Sequence, residues 1–242
     1  MRILVISDIH GNLPAFQAVA ADAGEVDACW CLGDIVGYGG EPDECIALLR
    51  SYDQLAVVRG NHDAAVTGNL ALSYFNGDAR RSVEWTQDHL LPENMEYLHN
   101  LPEKLTLLDT TLAHGSPRDP VWEYVIDRRV ASLNFYAFET RYCTVGHSHI
   151  PLLYHLEGEP GSQVIRAARP GELTLFSGRV IANPGSVGQP RDQDWRASYA
   201  IFDPEEGSWA ARKIAYNVNA SQECIRRRGL PEGNADRLVM GY

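Results

Sequence analysis

Short apolar runs alternate with amphipathic stretches along the first third of the chain. The runs at residues 2–7, 28–32 and 55–58 predict three strands. After the first run, Asn12 is a suitable N-cap for a helix that has Pro14 in its first turn and an apolar stripe behind it. Strands that alternate with helices at this spacing favour βαβ units and a mostly parallel sheet.

The pattern changes after a polar stretch at about residues 76–101, which is predicted to be helical. Beyond it, strand-like runs are separated by turn residues and interrupted by a helix-like stretch at about 130–140. The predicted strands lie at residues 105–108, 111–113, 142–145, 152–156, 163–166, 173–176, 179–181, 198–202 and 209–214. The second half therefore adds a second, strand-rich sheet, and from Asn219 onward one helix and a tail are predicted.

Composition narrows the class of protein. The chain has 242 residues, of which 45% are hydrophobic and 22% charged, which is typical of a globular α/β protein. We expect one domain over residues 1–242. No uncharged apolar run reaches the roughly 18 residues of a membrane span, and the first apolar run is too short for a signal peptide. A cytoplasmic protein without a membrane partner is the expectation.

Charge and cysteine usage exclude further classes. The chain carries 32 acidic and 21 basic residues, a formal net charge of −11, so a nucleic-acid partner is not expected. An acidic protein that acts on a phosphate needs a local source of positive charge at its site, such as metal ions or a few arginines. An odd count of 5 cysteines argues against a disulfide framework, and Cys29 and Cys31 are expected to be buried thiols rather than metal ligands.

Asp, His and Asn residues, whose side chains can bind metals or transfer protons, lie just after several predicted strands. The motifs are Asp8-Ile9-His10, Gly33-Asp34, Gly60-Asn61-His62-Asp63, His114-Gly115 and Gly146-His147-Ser148-His149. The carboxyl ends of strands line the functional crevice in open α/β sheets, so these side chains can meet in one place. Each motif alone is weak, but the ordered set takes in most of the 8 histidines and leaves only His89, His99 and His155, which we expect to be structural.

The donor atoms in these motifs fit a site for two metal ions. The candidate ligands are Asp8, His10, Asp34, Asn61, His114, His147 and His149. Mixed imidazole and oxygen donors suit Mn, Fe, Zn, Co or Ni better than Ca or Mg. The neighbouring glycines allow tight turns and leave room for metal and substrate.

In this order the five motifs resemble those of the calcineurin-like metallophosphoesterases. The resemblance spans residues 8–149 by motif, and the segment 183–191, which ends in Arg191, is similar to one found in small bacterial members. It implies a fold of two packed mixed β-sheets flanked by helices, an α/β/β/α sandwich. It also implies two divalent transition-metal ions as cofactors and a small phosphorylated substrate.

The resemblance assigns roles to individual residues. One metal would be held by Asp8, His10, Asp34 and His149, and the second by Asp34, Asn61, His114 and His147. A hydroxide bridging the metals would attack phosphorus in line. His62, expected to be catalytic together with Asn61, would stand beside the leaving oxygen as a general acid or a transition-state donor.

The second motif departs from part of the family. Protein serine/threonine phosphatases and symmetrical dinucleoside tetraphosphate hydrolases carry Gly-Asp-x-Val-Asp-Arg-Gly, whereas this chain has Gly37 and Tyr38 in place of the second Asp and the Arg. The change disfavours phosphoprotein and dinucleoside tetraphosphate substrates. It also leaves open what orients His62, with the adjacent Asp63 as one candidate.

Substrate contacts are open to two interpretations each. Arg118 and Arg191 could bind phosphate, and Trp122 or Tyr124 could stack on a ring. The alternatives are a loop packed on the domain around Arg118 and a surface salt bridge for Arg191. For Tyr74, Phe75, Arg80 and Trp85 we expect core packing, although their helix could roof the cleft, and for 226–228 a solvated helix end.

The sequence therefore predicts a metal-dependent phosphoesterase that cleaves a small, nucleotide-like phosphodiester or phosphomonoester, with the diester favoured. The alternative is a catalytically silent scaffold of the same fold, as in retromer, but such a protein would lack a ligand or His62, and this chain has both. A nuclease is disfavoured by the negative charge. Oligomeric state is left open.

Overall fold

The computed structural model describes residues 1–158, 164–168 and 173–242, so Gln163, at the start of one predicted strand, lies outside the described residues. The strands are, in chain order, β1 (Ile3–Ile6), β2 (Ala28–Cys31), β3 (Leu55–Val57), β4 (Lys104–Leu107), β5 (Thr110–Ala113), β6 (Tyr142–Thr144), β7 (Leu152–Glu157), β8 (Val164–Ala168), β9 (Thr174–Leu175), β10 (Arg179–Asn183), β11 (Ala197–Asp203) and β12 (Ser208–Ile214). The α-helices are α1 (Leu13–Ala23), α2 (Pro42–Leu49), α3 (Asn61–Val66), α4 (Gly77–His89), α5 (Pro92–His99), α6 (Arg128–Asn134), α7 (Val218–Arg227) and α8 (Glu232–Met240). A short 3-10 helix spans Leu72–Tyr74.

Two 6-stranded mixed sheets form the centre of the fold. The first has the order β3-β2-β1-β11-β12-β9, in which β1, β2 and β3 are parallel and the other three strands are antiparallel to their neighbours. The second has the order β4-β5-β6-β10-β7-β8, with β5, β6 and β10 parallel. The predicted fold class, two packed mixed sheets flanked by helices, is confirmed.

Alternating side chains of β1 serve two different cores. Ile3 and Val5 pack into the cluster between the two sheets, together with the buried Trp209. Leu4 and Ile6 point to the other face and pack against α1 and α2 in a second cluster. Burying each such side chain contributes about 1.5–3 kcal/mol. A third cluster lies under α6 on the outer face of the second sheet, which completes the four layers.

Several local predictions are confirmed at the level of individual contacts. Asn12 caps α1, because its side-chain oxygen accepts a hydrogen bond from the backbone N–H of Ala15 at 3.3 Å. Cys29 and Cys31 are buried free thiols on the helix side of the first sheet. The polar stretch after residue 76 is helical but divided in two, because Pro92 begins a new helix.

Two predictions of chain organisation are wrong. Strands β9, β11 and β12 belong to the first sheet rather than the second, because β11 pairs antiparallel with β1, with Ile3 opposite Phe202. Alternation of apolar and polar residues identifies a strand but not its partner. The end of the chain is two helices rather than a helix and a tail, since Gly229, at a φ of 70°, turns the chain and Pro231 precedes α8.

This topology brings catalytic residue types to one edge of the molecule. The parallel strands β1, β2 and β3 end there, as do β5 and β6 of the second sheet, and each end is followed by one of the five motifs. None of the helices in the described part of the chain combines the length and the apolar character that crossing a membrane requires.

Candidate metal centre and active-site cleft

Seven candidate ligands converge at the edge where the strands end. All of them are buried, and together they form two overlapping groups that share Asp34. In each His/Asp group the potential ligand atoms lie within 4.8 Å of one another. The groups are Asp8, His10, Asp34 and His149, and Asp34, His114 and His147. Asn61 joins the second group, since its Oδ1 is 3.0 Å from His114 Nε2.

Ring nitrogens in the cluster point at one another. His10 Nε2 is 3.2 Å from His149 Nε2, and His149 Nε2 is 3.2 Å from Asp8 Oδ1. His114 Nε2 lies 3.1 Å from His147 Nδ1 and 3.4 Å from Asp34 Oδ2. Lone pairs crowded together in this way repel one another unless a proton or a cation lies between them. The donor set is therefore arranged to surround cations.

Backbone carbonyls fix the orientation of three of these rings. Nδ1–H of His10 donates to the carbonyl of Val36 at 3.0 Å, and Nδ1–H of His114 donates to that of Leu32 at 2.8 Å. His149 donates to the carbonyl of Gln189 at 2.5 Å. A carbonyl can only accept, so each ring holds a proton on Nδ1 and, when neutral, presents the lone pair of Nε2 to the cluster.

The backbone at these positions is strained. Five of the cluster residues have a positive φ, a region that non-glycine residues adopt rarely. They are Asp8 (55°), His10 (51°), Asp34 (53°), His147 (62°) and His149 (60°). Such conformations cost on the order of 1–3 kcal/mol each and persist where the surrounding structure imposes them, most often at functional sites.

Electrostatics keep most of the imidazoles neutral. Burial lowers the pKa of His10, His62, His147 and His149 well below that of a free histidine. For His114, burial acts in the same direction, but the Asp34 carboxylate outweighs it and raises the pKa to about 9. Neutral imidazoles are the form that binds metal ions.

Asp63 holds the loop that carries Asp34, and its carboxylate is not engaged with the His62 ring. The carboxylate accepts four backbone N–H bonds, at 2.8–3.3 Å, from Asp34, Ile35, Val36 and Gly60. Burial raises the pKa of Asp63 to about 7; the Asp34 carboxylate adds to the rise, and these N–H groups oppose it.

Aromatic packing orients His62 instead. Its ring centroid is 4.6 Å from that of Tyr38 and 5.0 Å from that of Phe75, which approaches edge-on. A Cβ atom on Gly37 would lie 2.4 Å from His62 Nδ1, so a side chain at residue 37 would displace the ring. Where the protein phosphatases have an aspartate that orients the histidine, this chain therefore has Gly37, which lets the His62 ring pack directly against the backbone.

Close approach also explains Gly60. A Cβ atom there would lie 2.1 Å from Asp34 Oδ1 and 2.3 Å from the Asp34 backbone nitrogen. Because no real side chain tolerates such distances, only glycine allows the third motif to pack against the second. This packing lets the N–H of His62 donate to Asp34 Oδ1 at 2.8 Å.

A cleft of about 260 Å³ opens in front of the cluster. Its lining includes His62 and members of both ligand groups, together with residues from outside the motifs. These additional residues are Tyr38, Tyr74, Phe75, Asn76, Ala79, Trp122, Tyr124, Arg191, Arg237 and Tyr242. Core packing is the wrong prediction for Tyr74, which is 62% exposed because it lies on a 3-10 turn at the cleft wall. It is also wrong for Arg80, which is exposed on α4 and pairs with Glu84.

The two arginines predicted to bind phosphate differ in position. Arg191 lines the cleft and donates to Gln189 Oε1 at 2.8 Å, with no acidic ion-pair partner in the described part of the chain. Arg118 is not among the residues that line the cleft, and its guanidinium pairs with Glu123. The structure thus brings Arg191, but not Arg118, to the candidate site.

The aromatic residues that follow His114 do reach the site. The Tyr124 ring stacks on His147 with centroids 3.7 Å apart, and Trp122 lies 5.5 Å from Tyr74. Sequence reasoning did not identify Tyr38, Arg237 or Tyr242 as cleft residues. Tyr38 lies shortly after Gly33-Asp34 and was within reach of that reasoning, whereas Arg237 on α8 and Tyr242 after it belong to a terminal segment that carries no motif.

Comparison with known proteins agrees with this geometry. The sequence profile described as "Calcineurin-like phosphoesterase superfamily domain" matches residues 1–207. Over 254 aligned residues the chain is 37% identical to an uncharacterized protein of Methanocaldococcus jannaschii, with 99% of this chain and 98% of that protein covered.

Solved structures show the same relationship. The crystal structure of a metallophosphoesterase from Sphaerobacter thermophilus is similar with a TM-score of 0.89 and 48% identity, covering 100% of this chain and 99% of that one. A hypothetical protein from Pyrococcus horikoshii shares the fold with a TM-score of 0.80 at 20% identity, covering 100% and 98%. The motifs, the fold and the matched profile thus lead to one conclusion: the chain belongs to the calcineurin-like phosphoesterase superfamily.

Proposed function

We propose that the protein is a metal-dependent phosphoesterase that hydrolyses a small phosphodiester or phosphomonoester, with the diester favoured. The observation that carries the proposal is the pair of overlapping buried ligand groups joined by Asp34, with His62 beside them at the cleft. A scaffold without catalytic activity has no need for strained backbone at five candidate ligand positions. It also has no need for an open cleft in front of them.

The residues fit two divalent transition-metal ions. Asp8, His10, Asp34 and His149 would hold the first, and Asp34, Asn61, His114 and His147 the second. Buried imidazoles, two carboxylates and one amide form the nitrogen and oxygen set that such ions prefer. When bound, the ions lower the pKa of a water molecule and neutralise charge on the phosphoryl oxygens.

His62 is proposed as the hydrogen-bond donor to the leaving oxygen in the transition state. Its Nδ1 is buried and has no hydrogen-bond partner among the described residues, and Gly37 closes off that side of the ring. Nε2 is therefore the atom that can meet a substrate in the cleft, which His62 lines. A neutral imidazole there that carries its proton on Nε2 can donate a hydrogen bond to the leaving oxygen as negative charge develops on it in the transition state.

The dimensions of the cleft support a small substrate. At about 260 Å³ it lies just below the roughly 300–1,000 Å³ of typical small-molecule pockets. Gly37 and Tyr38 replace the Asp-Arg pair of the protein phosphatases, and Tyr38 instead packs on His10 at 4.7 Å. These features favour a compact phosphate ester over a phosphorylated protein segment.

The proposal is tested by hydrolysis of bis-p-nitrophenyl phosphate against p-nitrophenyl phosphate. The protein is first treated with a chelator and then reloaded with manganese, and Asp34→Asn runs alongside. We expect metal-dependent turnover that Asp34→Asn abolishes, with the diester cleaved faster. No turnover of either ester by fully metal-loaded protein would favour the scaffold alternative, and a faster monoester would overturn the diester preference.

A further inference from the structure

Two arginines from distant parts of the sequence meet in the cleft. Arg191 follows the glycine-rich segment after β10, and Arg237 lies on α8, beyond the residues matched by the family profile. Neither forms an ion pair with an acidic side chain in the described part of the chain, although the protein has 32 acidic residues. Two unpaired guanidinium groups beside a metal centre favour an anionic ligand.

Arg191 is partly withdrawn from water. Its Nε is buried without a hydrogen-bond partner among the described residues, while its outer nitrogen donates to Gln189 at 2.8 Å and lies 3.4 Å from the Tyr38 hydroxyl. The Arg191 guanidinium therefore loses part of its hydration without forming a compensating ion pair with a carboxylate of the described residues. An anion that reaches the cleft restores the missing interaction.

Helix α8 is fastened beside the cleft at both ends, so the position of Arg237 is fixed by the fold. Near its start, the buried Asn234 side chain donates to the Tyr38 carbonyl at 3.3 Å and to Ser82 Oγ at 2.8 Å. After its end, the carbonyl of Gly241 accepts from the N–H of Gln193 at 2.8 Å. The helix is thus tied to the segments that carry Tyr38 and Arg191.

Aromatic side chains line the side of the cleft next to His147. The Trp122 centroid is 5.7 Å from that of His147 and 5.5 Å from that of Tyr74, whose ring is largely exposed. Exposed aromatic rings at a cleft wall are suited to stacking on a planar ring of a ligand. The cleft therefore combines a metal centre, a cationic part and an aromatic part.

We infer that Arg237 and Arg191 bind a second anionic group of the substrate, separate from the phosphoryl group that reacts, while Tyr74 and Trp122 stack on its planar ring. This inference rests on the proposed function and narrows it. The metal centre would bind the reacting phosphoryl group, so the two arginines are available to bind another anionic group. Nucleotides with more than one phosphate group combine a planar ring with a second anionic group, and we infer that they are the substrate class.

A binding experiment tests the second anionic group independently of turnover. Manganese-loaded His62→Ala protein, which is expected to bind ligands but to cleave them far more slowly than wild type, is titrated with adenosine 3′,5′-bisphosphate and with adenosine 5′-monophosphate by calorimetry. We expect the bisphosphate to bind roughly 10- to 150-fold more tightly, as hydrogen bonds to a charged group imply. Equal affinities would overturn the inference.

Variants then assign the preference to Arg237. In the same background, Arg237→Gln should remove most of the preference for the bisphosphate. Arg227→Gln makes the same charge change at an exposed position of the adjoining helix and should leave the preference intact. The assignment is wrong if Arg237→Gln lowers the affinity for both ligands equally, or if Arg227→Gln reduces the preference for the bisphosphate as strongly. Thermal unfolding of each variant confirms that it is folded.

The aromatic part has its own comparison. Trp122→Ala should lower the affinity for adenosine 3′,5′-bisphosphate by roughly 5- to 150-fold, the range for loss of one base-stacking contact. It should not change the affinity for propane-1,3-diol bisphosphate, which has no ring. An equal loss for both ligands would refute stacking.

Turnover separates this inference from the proposed function. Wild-type protein is assayed with the 5′-p-nitrophenyl ester of thymidine monophosphate, with and without a 3′-phosphate. Faster cleavage of the 3′-phosphorylated ester supports both proposals. Turnover without any preference overturns only the inference. A binding preference without turnover of either ester overturns only the enzymatic function.

Discussion

Asp63 is expected to stabilise the metal centre through the backbone. Its Oδ1 accepts from the N–H groups of Ile35 and Val36, and its Oδ2 accepts from those of Asp34 and Gly60. All four donors belong to the segments after β2 and β3 that position Asp34, the candidate ligand shared by both groups. Removing the carboxylate leaves these buried N–H groups unpaired, which is one of the most costly kinds of substitution.

The magnitude follows from these four bonds. A hydrogen bond to a charged group contributes about 1.5–3 kcal/mol, but bonds to one acceptor are not additive and water can enter the space left by a deletion. We therefore expect Asp63→Ala to lower the free energy of unfolding by about 3–5 kcal/mol. Asp63→Asn keeps one acceptor oxygen, and so two of the four bonds, but its amide NH2 faces the other two N–H donors, so it should cost at least half as much.

Urea unfolding followed by circular dichroism measures the effect, at pH 8 so that Asp63, with a pKa of about 7, is ionised in the folded protein. Asp88→Ala, at an exposed helix position, is the matched control and should stay within about 0.5 kcal/mol of wild type. Manganese affinity should fall roughly 10- to 100-fold in Asp63→Ala, as for other residues that orient ligands. A cost below about 1 kcal/mol, or unchanged metal affinity, would refute the reasoning.

Three other predictions concern the site and its surroundings. His62→Ala should retain its metal, measured by elemental analysis, while kcat falls roughly 10²- to 10⁴-fold; wild-type turnover would remove His62 from the mechanism. Gly60→Ala should cost about 3 kcal/mol or more because its Cβ would lie 2.1 Å from Asp34, whereas Gly77→Ala, with no atom within 4 Å, should be nearly neutral in the same unfolding assay. Arginine and lysine partners hold the pKa of Asp194 below its usual value, so Asp194→Asn should lower stability by up to about 1 kcal/mol at neutral pH. That difference should shrink as the pH falls below about 4, and a difference that grows in acid would contradict the sign.

The sequence predicted which candidate ligands lie together better than it predicted how the strands pair. Strand ends are marked locally: β1 is a continuous apolar run that ends at Ile6, two residues before Asp8, and Asn12 caps the helix that follows. The partner of a strand is a non-local choice, so the placement of β11 beside β1 could not be read from alternation alone.

The cleft was less predictable than the ligands because its walls come from segments without motifs. Arg237 reaches the cleft only because Asn234 and Gly241 fasten α8 to distant loops. The packing of His62 against Tyr38 and Phe75 depends in the same way on tertiary contacts. A cytoplasmic location, a single domain and the absence of a nucleic-acid partner stay predictions.

Metal stoichiometry tests the central claim most directly. Protein stripped with a chelator, reloaded with manganese and freed of excess ion should contain two manganese ions per chain by elemental analysis, with an exchange-coupled pair visible by electron paramagnetic resonance. Asp34→Asn, which alters the one ligand shared by both groups, should lose the coupled signal. One manganese ion per chain or none in the wild-type protein, or a coupled signal that survives in Asp34→Asn, would contradict a two-metal centre built on these seven residues.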